Sequence, residues 1–322
     1  NCLVGSEMCI RDRLNEVLKT LDILIHPFCP YTSEHLYQTV FEGEKSILLD
    51  KWPRYQESLV NEQIEESFDI MKDVVSISSA ARMKGKLKRR WPLNEAQICV
   101  KKNQKIKLES LSGLLKSQLN VEKFNIIETE TENGLEQLLE LKELGLPVKS
   151  KLELERKKIG PKAKQHMGKL VSIFLETNPD EIISALQKNG KYDFKIDSEI
   201  ISLDKDDFIV NFDASENFAV AKRDEFIVFI STLRNKEMMA KGLVKDIARR
   251  LQTLRKERGY NPTDVLEVAS ILELDEESLE MIKQRDEELA FLVRVKKVNF
   301  EKSCKEYKDD DIDGQKIKIS VE

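Results

Sequence analysis

The strongest constraint on the fold is an order of apolar periodicities that occurs twice. Ile64, Phe68, Met71 and Val75 repeat at helical spacing after Asn61, a capping residue, and the pattern stops near Gly85. "AQICV" then reads as a strand, "LESLSGLLKSQLN" as a helix with Leu108, Leu111, Leu115 and Leu119 on one face, and "KFNII" as a strand. Further on, Val244, Ile247, Leu251 and Leu254 form the seam of a helix running from about Lys236 to Arg258 and ended by Gly259. "DVLEVASILEL" follows as a strand, "DEESLEMIKQRDEELA" as a helix capped by Asp275, and "VRVKKVNF" as a strand. Residues 62–127 and 236–300 are thus either two copies of one plan or one plan reached twice. Sequence identity between them is too low to argue a duplication.

The rest of the chain surrounds these units. Leu14, Val17, Leu18, Leu21 and Ile25 predict a first helix stopped by Pro27, and Thr32 or Ser33 a cap for a second that carries Leu36, Tyr37 and Val40. With the helix after Asn61 they read as part of a bundle over 14–92, followed by a small α/β unit at 93–130. A mixed helix and strand region spans 131–235. It includes a helix from about Lys162 with Pro161 in its first turn, a helix ending at Gly190, and a hairpin turning at Arg223-Asp224-Glu225. A second α/β unit occupies 236–322. The fold class is α+β. "NCLVGSEMCIRDR" does not continue the helical pattern that starts at Leu14. It resembles a translated sequencing adapter, so residues 1–13 are set aside, with the expectation that the chain was cut upstream.

The chain has 322 residues and a net charge of −5, so a site for a polyanion has to be local. No apolar run approaches the roughly 20 residues that cross a bilayer. The five cysteines are scattered, without a C-x-x-C pair, and read as reduced thiols in a cytoplasmic protein. No phosphate-binding glycine loop, nucleophile elbow or metal-ligand spacing is present, and the three histidines are read as packing or solvated groups.

Two basic clusters stand out. The first is Lys84, Lys86, Lys88, Arg89 and Arg90, followed by Trp91-Pro92. Cations at a helix C-terminus oppose the dipole, worth about 0.3–1 kcal/mol each, which does not account for five. They are suited to RNA phosphates, with Trp91 either stacking on an unpaired base or packing beneath the strand. Because Pro92-Leu93 lead inward, packing is favoured. The second cluster lies on the helix 236–258. Lys245, Arg249, Gln252 and Lys256 fall opposite its seam, flanked by Arg250, Arg255 and Arg258, with only Asp246 and Glu257 against them. A solvated helix face is the alternative. Both clusters precede a strand, and a matching position in two units would grip one RNA at two points.

These residues carry a family resemblance. Pro27, Phe28, Pro30, Ser33, Glu34, Leu36, Tyr37, Asp50, Trp52 and Pro53 match the Pro-Phe-x-Pro turn, Ser-Glu-x-Leu-Tyr helix and Asp-x-Trp-Pro connector of isoleucyl-tRNA synthetases. "ARMKGKLKRRWPL", "QLNVEKF", "IGPKAKQHMGKLV" and "GLVKDIARRLQTLRKERGYNPTDVLEV" are similar to later elements of the same family, in order. The Trp before Pro92 is similar to the archaeal and eukaryotic-type branch. The adenylate-forming motifs His-x-Gly-His and Lys-Met-Ser-Lys-Ser are missing, as are the editing domain and the cysteine zinc site of the bacterial type. The resemblance implies a C-terminal fragment with an anticodon-binding helical bundle followed by small mixed α/β subdomains. It implies tRNA(Ile) as partner, with the missing catalytic and editing domains of the same protein. It also implies no cofactor in the fragment, and ATP and Mg²⁺ for the intact enzyme. The pieces also suit valyl- or leucyl-tRNA synthetases, and a protein-interaction scaffold is the non-enzymatic alternative.

Overall fold

Met71, Val74, Ile77 and Ala81 recur at helical spacing, and all four are buried. In the computed structural model they form the inner face of α3 (Glu62–Lys84), laid on a four-stranded sheet. The structure describes residues 2–41, 46–196, 199–302, 304–312 and 314–322. It divides into two units, residues 1–62 and 63–322, so α3 takes its core from the strands that follow it.

The first unit holds α1 (Cys2–Ile25), α2 (Pro30–Val40) and a 3-10 turn at Ile47–Leu49. The helix begins at Cys2, not Leu14, since no proline interrupts the run before Pro27. α2 starts before the expected Thr32 or Ser33. Pro30, whose fixed φ suits a first turn, follows Cys29 as the N-cap. The buried centre is small: Ile23, Tyr37 and Ile47. Among the described residues, Leu14, Val17, Leu18 and Leu21 of the predicted seam stay exposed.

In the second unit, β1 (Leu93–Val100) pairs in parallel with β2 (Val121–Glu128) after the helices α4 (Lys102–Ser110) and α5 (Ser112–Leu119). The helix predicted there is broken at Leu111. β7 (Phe218–Arg223) and β8 (Phe226–Ser231) form the predicted hairpin, with Asp224 at positive φ. β8 also pairs antiparallel with β1, giving the order β2-β1-β8-β7. One face of this sheet packs on α3, α4 and α5. The other carries Cys99, Ile227 and Phe229 against Leu141 and Leu146. Burial pushes the Cys99 thiol up to about 12, which makes it an inert core group.

Between β2 and β7 the chain leaves to build a separate core. It comprises α6 (Gly134–Glu143), α7 (Arg156–Ala163), α8 (Met167–Glu176) and α9 (Pro179–Asn189) with the strand pairs β3 (Val148–Leu154)–β6 (Phe208–Ala214) and β4 (Lys191–Ile196)–β5 (Glu199–Asp204). Here Pro161 lies inside α7 rather than opening a helix, and a 3-10 turn, 164–166, leads into α8. Gly190 ends α9 at φ 72°.

The plan then recurs. α10 (Lys236–Glu257) precedes β9 (Leu266–Leu272), and α11 (Glu276–Lys283) and α12 (Asp286–Val293) lead to β10 (Val295–Asn299), parallel to β9. The hairpin β11 (Lys308–Ile312)–β12 (Gln315–Val321) closes the sheet in the order β10-β9-β12-β11. Each sheet therefore has the same sequence of strand directions, and in each the intervening helix is broken in two.

A buried arginine locks both copies in the same way. Arg82, near the end of α3, donates to the carbonyls of Lys88 at 3.2 Å and Trp91 at 2.9 Å, six and nine residues on. It also reaches Leu119 at 2.7 Å and Asn120 at 3.1 Å, where the chain enters β2. Arg255, near the end of α10, donates to Asn261 at 3.2 Å and Asp264 at 2.7 Å, again six and nine residues on. It also reaches Val293 and, at 3.0 Å, Arg294, where the chain enters β10. Asn120 and Arg294 both adopt positive φ, as do Lys86 and Gly259 beyond the two helix ends. Burial first, and then the positive charge of Arg89, push the Arg82 guanidinium down to about 10, still cationic near neutrality.

Replacing Arg82 or Arg255 with Met should lower stability by about 3 kcal/mol or more, because four hydrogen bonds to carbonyls are lost at once and the two chain segments they join are released. Denaturant unfolding reads this. A midpoint shift no larger than that of an exposed control, such as Lys116→Met, would refute the lock.

Candidate nucleic-acid interface

Local rules place the first basic cluster in a loop. α3 ends at Lys84, Lys86 takes positive φ to leave the helix, and the loop 86–91 is held from beneath by Arg82. Asn120 adds hydrogen bonds from Nδ2 to the carbonyls of Arg89 at 3.3 Å and Arg90 at 3.0 Å. The second cluster is carried along α10. Its seam residues Val244, Ile247, Leu251 and Leu254 are buried as predicted, which turns Arg249 outward.

The two clusters meet. Lys88, Arg89, Arg90, Arg249, Arg250 and Lys308, with Asp246, Asp310 and Thr253, line one open cleft of about 550 Å³. Six cations against two carboxylates give it a positive excess in an acidic chain. The clusters do not occupy matching positions in the two copies, as the order of elements suggested. One lies on the loop after its helix and the other along the helix itself. They form two walls of one site rather than two separate grips.

Asp246 joins the walls. Its carboxylate accepts from Trp91 Nε1 at 2.8 Å, pairs with Lys88 Nζ at 3.1 Å and with Arg90 Nη1 at 3.2 Å. Burial alone would raise this carboxyl, but the Trp91 hydrogen bond and the Lys88 ammonium outweigh it and hold the group below the ordinary aspartate range. Trp91 is only 7% exposed. Arg234 lies over its ring, 4.5 Å from the centroid, and a Cβ at Gly242 would fall 2.7 Å from its Cδ2. The ring is therefore packed between the copies and is not free to stack on a base, which corrects its place among the candidate RNA-binding residues. Lys241 adds a bridge from α10 to Glu122 on β2, at 3.1 Å.

The other candidates separate. Arg250 is half-buried and committed to Asp310 Oδ1 at 3.3 Å and the Asp246 carbonyl at 3.2 Å. Arg89 and Arg249 are exposed, and among the described residues their guanidinium groups make no hydrogen bond or ion pair. Lys84 lines a different depression, beside Asn133, Gln137, Lys151 and Lys222. Lys86, Lys245 and Lys256 lie outside the cleft lining. Arg255 is a core group, and Arg258 donates to the carbonyl of Glu306 and to Ser320 Oγ. Lys308, Thr253 and Asp310 were missed by sequence reasoning. Lys308 arrives on β11, where no basic run marks it.

In the first unit, the family-like residues do two jobs. Glu34 Oε2 accepts from Ser46 Oγ at 2.8 Å and from the Ile47 amide at 3.1 Å, and Tyr37 donates to Asp50 Oδ2 at 2.7 Å. Hydrogen bonds from Lys19 and then from Tyr37 draw the Asp50 carboxyl down to about 2. These residues tie the connector to the helices. Phe28, Tyr31, Trp52 and Tyr55 remain exposed.

Comparison with known proteins agrees with this geometry. Residues 4–98 match the family described as "Anticodon-binding domain of tRNA ligase". The chain is 28% identical over 318 residues to an isoleucine–tRNA ligase of Methanocella arvoryzae, covering 96% of this chain and 28% of that protein. It is 25% identical over 287 residues to the isoleucine–tRNA ligase of Sulfolobus acidocaldarius, covering 88% of this chain and 26% of that protein. The isoleucine–tRNA ligase of Bacteroides fragilis matches at 26% over 257 residues, 78% of this chain and 21% of that one. The similarity is thus to the anticodon-binding part of tRNA ligases. These relatives are all isoleucine–tRNA ligases, and the chain spans about a quarter of their length.

Gly242→Ala should cost about 1–3 kcal/mol through the clash with Trp91, read as a lower unfolding midpoint. The Asp246 carboxyl is depressed in the folded protein, so its contribution is complete above the ordinary aspartate value of about 3.9 and is lost as pH falls through the folded value. The stability gap between wild type and Asp246→Asn, measured by urea unfolding, should be open at pH 7 and shrink below about pH 4. A gap independent of pH would count against the ion-pair account.

Proposed function

We propose that this chain is the C-terminal, tRNA-holding part of an isoleucine–tRNA ligase. It fixes tRNA(Ile) so that the acceptor end reaches catalytic and editing domains carried elsewhere in the same protein. There isoleucine is joined to the tRNA at the expense of ATP, with Mg²⁺, in the cytoplasm. The observation that carries the reading is the convergence of two basic segments, far apart in sequence, on one cleft. Neutralising phosphates with Lys and Arg releases counterions and supplies sequence-independent affinity. Discrimination then falls to the first unit, whose exposed Phe28, Tyr31, Trp52 and Tyr55 offer faces for unpaired bases.

ATP and Mg²⁺ belong to the reaction of the intact enzyme. Among the described residues, no group of three His, Cys, Asp or Glu is placed to hold a metal ion. What these residues contribute is charge and shape.

The full chain should bind isoleucine tRNA, with affinity falling by on the order of 10³-fold between 50 and 200 mM salt. Lys88→Ala/Arg89→Ala/Arg90→Ala should abolish most of that binding. A folded chain that binds no tRNA, or binds it with no salt dependence, would sink the reading.

A further inference from the structure

We propose that the cleft is a phosphate clamp closed from both copies by Arg89 and Arg249, and that it takes the backbone of an RNA strand without reading bases. The proposal rests on the tRNA-holding reading above and specifies the chemistry of its site.

The first argument is availability. Lys88 and Arg90 are paired with Asp246, Arg250 with Asp310, and Lys308 with Glu257. Arg89 and Arg249 are the exposed guanidinium groups in the cleft that keep their donors unused among the described residues. A guanidinium presents a planar fork that fits phosphate oxygens two at a time. Arg89 stands on the loop of the first copy and Arg249 on α10 of the second, so a strand lying in the cleft meets one from each side. Asp246 acts as a positioning residue. It draws Lys88 and Arg90 into the wall while Arg89, between them in sequence, carries no such bond.

The second argument comes from the repeat. In the register that matches Arg82 with Arg255, Lys88, Arg89 and Arg90 correspond to Asn261, Pro262 and Thr263. The second loop makes the same backbone connections to its arginine with no basic residue at those three positions. The fold therefore does not require the basic loop, and opposing a helix dipole does not explain it. Arg249 likewise corresponds to Ser76 in the first copy. The charges were placed on whichever wall faces the cleft.

The third argument is what the lining lacks. It holds no aromatic side chain, Asn or Gln, and its neutral member is Thr253. Aromatic platforms for stacking and amide groups for reading base edges are thus absent from the lining. Trp91, the nearest aromatic, is enclosed by Arg234, Gly242 and Asp246. A wall of cations whose two carboxylates are already paired to them contacts phosphates, which position a strand and carry no sequence information.

The test uses the full chain with Arg89→Ala and Arg249→Ala, singly and together. The probes are an isoleucine tRNA transcript and an unrelated tRNA of the same length, titrated from 50 to 200 mM salt. Each substitution should weaken both RNAs by the same factor, about tenfold, and reduce the salt slope by roughly one. Unfolding midpoints should not move, since both side chains are exposed. A loss confined to isoleucine tRNA would show that the cleft reads sequence and overturn the proposal, as would an unchanged slope. If wild type binds and the variants match it, only the clamp fails. If wild type binds neither RNA, the tRNA-holding reading fails and takes the clamp with it.

Discussion

Each α/β copy depends on one charge buried against main-chain carbonyls. A guanidinium removed from water is costly, and Arg82 and Arg255 are tolerated because each donates to four main-chain carbonyls. Those carbonyls belong to two chain segments that have to run side by side. One is the loop leaving the long helix, and the other is the turn entering the parallel strand. An apolar residue at the same place could fill the space but could not fix the two segments in register. With the segments fixed, β1 and β2, and likewise β9 and β10, begin pairing at defined positions.

The joint between the copies obeys the same economy. Asp246 is nearly enclosed, yet it has three donors from the loop of the other copy, and Gly242 leaves room for the indole that supplies one of them. The carboxylate gathers cations into one wall and cancels only part of their charge. A basic cleft results in a chain whose net charge is negative. In the first unit, Asp50 does comparable work at smaller scale, binding the connector to Tyr37 and Lys19.

Legibility followed the range of the interaction. The α10 seam, the Asp275 cap, the Gly190 and Gly259 helix ends and the Asp224 hairpin were all readable, because each is decided within a few residues. The break at Leu111 was not, since the apolar stripe Leu108, Leu111, Leu115 and Leu119 runs straight across it. Pro161 misled for a related reason. It stands near the end of α7, just before the chain gives way to a 3-10 turn, so it marks the neighbourhood of a helix end and not a helix start.

The sequence by itself determined the order of elements, the two basic clusters and the family to which their spacing is similar, because helical and strand periods, caps and motifs are local. Only the tertiary structure decided that Trp91 is core, that Arg82 and Arg255 are equivalent locks, and that Lys308 belongs beside Arg249. Those outcomes rest on contacts between segments from six to some 220 residues apart, and on burial, which assigns a buried arginine to the scaffold and an exposed one to the cleft. A basic residue reads the same in sequence whichever of the two it becomes.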